Sequence, residues 1–210
     1  MSYDDHDAAM DEMYERISEE LYPKHRDQAV SEFTAERLRS YYLDNPMVMR
    51  PAVDTLQEVK RLRANGHSSA VVVFCATAIE LFLKATVLQP IVYGLVHSPA
   101  LADVIVRYAV GQTGFDRYRY LLSRMFEELA NLDLAKVSRT GAKVALIDEC
   151  REIQALRNDV IHKGRDCSLD GVERSIGVAI AVYNDIVAPI LGSLGLAVVE
   201  KGRIEPSRSS

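Results

Sequence analysis

The sequence predicts an all-α fold, a bundle of helices preceded by an N-terminal helical extension. Three observations carry this expectation. Apolar residues recur three or four positions apart in successive segments, which gathers them on one face of a helix. Prolines, glycines and capping residues fall between those segments and set their ends. No stretch alternates apolar with polar residues as a half-buried strand does, and no internal repeat interrupts the pattern.

The first helix is expected from Asp7 to Leu21, with Met10, Met13, Tyr14, Ile17 and Leu21 on one face and Pro23 as its stop. A second runs from Arg26 to Leu43 and ends at Asn45-Pro46. Pro51 suits a first helical position, so a third helix follows to about Arg63 and closes at Asn65-Gly66. Its Val53, Leu56, Val59 and Leu62 form one stripe, and Lys60, Arg61 and Arg63 gather near its C-terminus, where the helix dipole favours cations. The next segment, SSAVVVFCATAIELFLKATVLQP, is apolar on most sides. Such a helix belongs at the centre of a bundle, here with Pro90 as its stop. A loop and a short helix around Leu101 to Ala109 are expected next, then a helix opened by a Thr113/Asp116 capping box and running through Leu129. Lys143 to Lys163 is a further helix, ended by Gly164. The last runs from Gly171 to about Ile190, with Asp170 and Glu173 as its cap and Pro189 near its end. The tail EKGRIEPSRSS is expected to fray. These boundaries divide the chain into an acidic helical extension over 1–45, a helical bundle over 46–195 and a polar tail over 196–210.

The charge is unevenly placed. Eight carboxylates stand against one arginine in the first twenty residues, a net of −7; the whole chain carries −5, so the other 190 residues carry +2. A nucleic-acid role is permitted by that small excess but not advertised by it. Three cysteines, Cys75, Cys150 and Cys167, are odd in number and widely spaced, which indicates free thiols in a reducing compartment, Cys75 buried. The acidic N-terminus has no apolar core of a secretory signal. The most apolar run, Ala70 to Leu88, carries Glu80 and Lys84, whereas a spanning helix wants ~20 nearly uncharged residues. A cytoplasmic protein without a membrane segment is expected.

Chemistry concentrates in one stretch, Leu156 to Gly164 (LRNDVIHKG). It puts Arg157, Asn158, Asp159 and His162 within six residues, followed by Lys163 and the helix-stopping Gly164. Asn158 and His162 are four apart and share a face; Asp159 and His162, three apart, are also neighbours. Arg157 diverges from His162 by roughly 140°, but a long arginine can swing its guanidinium round to a site centred on the imidazole. Spacing alone favours a plainer reading, in which His162 and Lys163 serve the helix dipole and Arg157 makes a salt bridge.

The run Arg157-Asn158-Asp159-Val160-Ile161-His162 resembles the signature of the HEPN superfamily: an arginine, a polar residue beside it, and a histidine separated from the arginine by four to six intervening residues (here four), near the end of a late bundle helix. Ala78-Ile79-Glu80-Leu81-Phe82-Leu83-Lys84-Ala85 is similar to the early helix of that family, which carries an acidic and then a basic residue in an aliphatic run. The resemblance spans about Pro51 to Leu194 and implies a HEPN-like bundle over 46–195. It further implies a metal-independent endoribonuclease, typically a toxin or antiviral defence effector, acting as a two-fold homodimer whose motifs face across a cleft. The chemistry accounts for the residue types. RNA supplies its own 2′-hydroxyl as nucleophile, an imidazole suits the proton transfers at both oxygens, and a guanidinium fork clamps the anionic transition state. Arg157 and His162 would then be catalytic, with Asn158 orienting His162 or bonding the phosphate.

Around this motif other residues have two readings each. Glu80 either pairs with Lys84 four residues on or reaches Arg157 and aims its guanidinium. Asp159 reads as a solvated or cap-stabilising group rather than a catalyst. Lys163 and Arg165 are candidate contacts for the RNA backbone, although surface cations are common. Arg117 and Arg119 alternate with Tyr118 and Tyr120 and could clamp single-stranded RNA; the plainer reading buries Tyr118, Leu121 and Leu122 and leaves the arginines outside. The acidic extension either shields a basic cleft, binds a regulator such as an antitoxin, or is a solvated face. The five histidines form no metal-ligand spacing, and no phosphate-loop, dinucleotide or hydrolase-elbow motif occurs, so no metal or cofactor is expected. Two further classes stand beside the nuclease: a non-catalytic HEPN-like module that binds RNA, a nucleotide or a partner protein, and a purely structural helical subunit.

Overall fold

The computed structural model describes residues 35–96, 99–105 and 133–207, with the single positions 13, 33, 123 and 127. Apart from those positions, the helices expected over 7–21 and 113–129 lie outside the described residues. Helix α1 covers 35–44, the end of the second expected helix. Asn45 stops it by donating both its backbone N–H and its side-chain amide to the Tyr41 carbonyl, at 2.9 and 3.0 Å, just before Pro46. Helix α2 (Arg50–Ala64) has Pro51 in its first turn and Arg61 and Arg63 in its last, and Gly66 turns the chain with φ of +76°.

Helix α3 (Ser68–Leu83) is the centre of the bundle, as its composition predicts. Val71, Val72, Cys75, Ala76, Ala78, Ile79, Phe82 and Leu83 are all buried. Helices α2, α6 (Leu146–Lys163) and α7 (Leu169–Ala181) pack around it. Between them in sequence lie α4 (Gln89–Leu95) and α5 (Pro99–Val104). The expected stop at Pro90 does not occur. A π turn, Lys84–Leu88, leads without a break into α4, and the helix carries Pro90 inside it. The reason lies in the hydrogen bonds. In a regular helix the carbonyl of Thr86 would accept from residue 90, and proline has no N–H. The hydroxyl of Tyr42, buried on α1, donates to that carbonyl instead at 2.5 Å. A π turn also precedes the proline of the last helical run. This turn, Val182–Val187, joins α7 to α8 (Ala188–Ser193), and Pro189 sits within α8 rather than ending the helix at about Ile190.

Two other expectations are corrected. The cap of α7 is Ser168, whose Oγ accepts from the Gly171 N–H at 3.2 Å. Asp170 merely sits in the first turn, and Glu173 pairs across to Arg63 of α2 at 2.6 Å. Nor does the polar tail fray over its described part, which ends at Ser207; residues 208–210 lie outside the described residues. Strands β1 (Leu196–Val198) and β2 (Ile204–Pro206) form an antiparallel hairpin pairing Val198 with Ile204. Ile204 is 1% exposed, and its N–H donates to the Pro46 carbonyl at 2.8 Å. Gly202 presses on α2 so closely that a Cβ there would sit 2.8 Å from Val53 Cγ2. Three-residue strands are too short to show an alternating pattern, which hides the hairpin from sequence reading.

Among the described residues, two helical runs, Ser68–Gly94 and Leu169–Ser193, are long and apolar enough to cross a membrane, with mean hydropathies of 2.1 and 1.6. In the fold 65% and 50% of their most apolar stretches are buried, and a core helix meets the same criterion.

Candidate functional site

Helix α6 carries the Arg157–His162 motif, and it divides into two halves. Leu146, Ile147, Glu149, Cys150 and Ile153 are buried in its first half. After Ile153 no residue of α6 is fully buried; Leu156, Arg157, Asp159 and Val160 are half-exposed, and Asn158, Ile161, His162 and Lys163 are exposed. The motif therefore lies on the part of the helix that leaves the core. Gly164 ends it in the left-handed conformation, φ +61°, and its N–H donates to the Val160 carbonyl at 3.1 Å while that of Arg165 reaches the Asp159 carbonyl at 3.5 Å. This pair of bonds closes the exposed carbonyls of the last turn.

The structure sorts the motif residues into two sets. Asp159, Lys163 and Arg165 form a closed cluster: the Asp159 carboxylate accepts from Lys163 Nζ at 2.6 Å and from Arg165 Nη1 at 3.1 Å. The Lys163 hydrogen bond, with Arg165 beside it, holds the Asp159 carboxyl below the usual carboxylate range. Asp159 is thus a group that steadies the helix end, and the two cations proposed for RNA are occupied by it. Arg157 and Asn158 form the second set. Arg157 Nη1 donates to Asn158 Oδ1 at 3.0 Å, so the amide addresses the guanidinium. His162, four residues on, makes no hydrogen bond or ion pair among the described residues.

Of the two partners considered for Glu80, the structure shows Lys84, whose Nζ lies 2.8 Å from Glu80 Oε1. The pair is four residues apart on one helix, the geometry that such pairs favour. Arg117 and Arg119 lie outside the described residues. Beside the loop after Gly164 is a crevice of about 550 Å3, lined by Asp166 and Cys167 on one side and by the turn and first residues of α3, Gly66 to Ala70, on the other. Arg157 and His162 are not among its lining residues. Among the described residues, no three His, Cys, Asp or Glu side chains gather as a metal site would require.

A charged cluster that sequence reading missed lies at the opposite end of α6. Glu149 is 2% exposed and accepts two bonds from Arg139, Nε to Oε2 at 2.8 Å and Nη2 to Oε1 at 2.9 Å. Arg174 of α7 approaches the same carboxylate at 3.5 Å and also bonds Glu152. The bond to Glu149 raises the pKa of Arg139 further. The cluster ties the segment before α6 to both α6 and α7. One signal was present: Glu149 falls on the buried face set by Leu146, Cys150 and Ile153. A carboxylate in that phase requires a cationic partner, but helical spacing cannot identify one in an irregular segment ten residues away. In comparisons with known proteins the chain matches no family model, no curated protein and no solved structure.

Proposed function

We propose that the chain is a metal-independent endoribonuclease of the HEPN type, working as a two-fold homodimer in the cytoplasm, without a membrane segment, as a toxin or antiviral effector held in check by an antitoxin or similar partner. The observation that carries this reading is the state of α6 beyond Ile153. The fold uses Asp159, Lys163 and Arg165 for its own helix end, yet leaves Arg157, Asn158 and His162 accessible and leaves His162 without a partner among the described residues. Exposed apolar residues flank the same turn, Ile161 at 46% and Leu169 at 76%, where a second copy would cover them. In this reading one imidazole takes the proton of the RNA 2′-hydroxyl as its oxygen bonds to phosphorus. The P–O5′ bond breaks, and an imidazole from the second copy protonates the leaving 5′-oxygen. Arg157, steadied by Asn158, balances the charge that gathers on the phosphoryl oxygens. The products are a 2′,3′-cyclic phosphate and a 5′-hydroxyl.

A second reading, a non-catalytic module that binds RNA, a nucleotide or a partner protein, is favoured by the neutralisation of Lys163 and Arg165 by Asp159, which leaves little free positive charge at this end. Incubating RNA in EDTA with the native chain, His162→Ala and Arg157→Ala separates the two. The nuclease reading expects cleavage by the native protein and loss of it in both variants while they remain folded dimers. Binding without turnover by a folded native dimer selects the second reading.

A further inference from the structure

On the side of the bundle formed by α2, α7 and the hairpin lies a cavity of about 300 Å3, with a second of about 210 Å3 sharing Leu56, Lys60 and Ile180 in its lining. Its floor is apolar: Leu56, Phe82, Ile180 and Tyr183. Among the described residues, its charged groups are of one sign: Lys60 and Lys201 line the larger cavity, Arg63 joins Lys60 in the smaller, and no described carboxylate lines either. Arg63 is committed to Glu173 at 2.6 Å. Neither lysine side chain makes a hydrogen bond or ion pair among the described residues.

Lys201 supplies a second, independent observation. It is the one non-glycine among the described residues with positive φ, +57° with ψ +26°. Glycine, asparagine or aspartate would take that left-handed position at lower cost. The turn is pinned there by Gly202, which has no room for a side chain against Val53. The chain thus holds a lysine in an unfavourable backbone state at the rim of an apolar cavity. Strain of this kind collects at binding sites.

We propose that this cavity binds an amphipathic carboxylate, with its hydrocarbon chain on Leu56, Phe82 and Ile180 and its anionic head at Lys60 and Lys201. At ~30 Å3 for each small group, the larger cavity holds roughly ten non-hydrogen atoms, the size of octanoate. The hydrophobic floor supplies most of the attraction and the two ammonium groups select the head. The site is separate from Arg157–His162 and does not depend on the nuclease reading.

The test is calorimetric titration of the full chain with octanoate, and with octanol as the uncharged match. Saturable one-to-one binding of octanoate is expected, tighter than octanol by about tenfold. The Lys60→Gln, Lys201→Gln double variant loses that tenfold preference but keeps its affinity for octanol, which reports an intact floor. Lys60→Arg, which retains the charge, binds octanoate as the native chain does. Lys201→Gly raises the Tm of the unliganded protein, because it relieves the backbone, and weakens octanoate. Equal affinity for octanol and octanoate, an unchanged preference in the double variant, or no saturable uptake of octanoate below its micellar concentration overturns the assignment. So does an acidic peptide, such as residues 7–21 added in trans, that binds the groove in place of octanoate.

Discussion

Removing Arg139 tests whether the buried charge at the start of α6 holds that helix in place. Glu149 is 2% exposed and takes both of its close hydrogen bonds from Arg139, at 2.8 and 2.9 Å. Breaking one side of a fully buried pair costs about 3–5 kcal/mol. Two features reduce that figure here. The Arg139 side chain is 30% exposed, so part of its charge is already solvated, and Arg174 stays 3.5 Å from the stranded carboxylate. Arg139→Ala is therefore expected to cost about 2–3 kcal/mol, a fall in Tm of roughly 5–10 °C for a chain of this size. Replacing both partners, Arg139→Met with Glu149→Leu, removes the stranded charge along with its partner. The double variant should lie within about 1 kcal/mol of the native protein. Urea unfolding followed by far-ultraviolet circular dichroism of the native chain, Arg139→Met, Glu149→Leu and the double variant gives all corners of the cycle. A cost below about 0.5 kcal/mol for Arg139→Ala, the behaviour of an exposed pair, would refute the reasoning. So would a double variant whose loss is the sum of its two parts.

Three further outcomes follow from other parts of the fold. Tyr42→Phe strands the Thr86 carbonyl that Pro90 cannot serve and should cost about 1–3 kcal/mol, whereas Thr86→Val, which removes a buried hydroxyl with no hydrogen bond among the described residues, should be neutral or stabilising; equal losses in chemical unfolding would contradict this. Burial raises the thiol of Cys75 to about 12 and that of Cys150 also upward, from an unfolded value of 9.0. Their neutral forms favour the folded state, so this contribution is intact below pH 9 and lost as pH rises beyond it, by about 1.4 kcal/mol per thiol at pH 10; a Cys75→Ala, Cys150→Ala chain should show a flatter decline, and an identical decline would count against it. Asp159, whose folded pKa is depressed, stabilises the helix end above the ordinary carboxylate pKa of 3.8 and loses that effect as pH falls through its folded value. Asp159→Asn should therefore lower stability at neutral pH but not in strong acid. It should also free Lys163 and Arg165, giving tighter RNA binding with a steeper salt dependence; an unchanged salt slope would mean that those cations do not face RNA.

The sequence and the fold agree at several points where a short-range rule decides the structure. The all-round apolar character of Ser68–Leu83 placed α3 at the centre, Gly164 ended α6, and Glu80 found Lys84 four residues on. They part where a distant group overrides the local rule. Pro90 reads as a stop because its missing N–H is visible in sequence, while the Tyr42 hydroxyl that compensates lies 44 residues away from Thr86. The hairpin depends on Ile204 meeting Pro46 and on Gly202 meeting α2, contacts that no periodicity encodes. At the site, the residue types were legible from spacing, but their division was not. Which carboxylate would neutralise Lys163 and Arg165, and that Asn158 would address Arg157 rather than His162, depends on side-chain rotamers at the helix end.

The central proposal is that His162 moves the proton of an RNA 2′-hydroxyl, and the most direct measurement offers the protein one RNA in two forms, unmodified and 2′-O-methylated, in EDTA. The native chain is expected to cut only the unmodified strand and leave a 2′,3′-cyclic phosphate, and folded His162→Ala is expected to cut neither. Cleavage of the methylated strand, or undiminished cleavage by His162→Ala, would contradict the account.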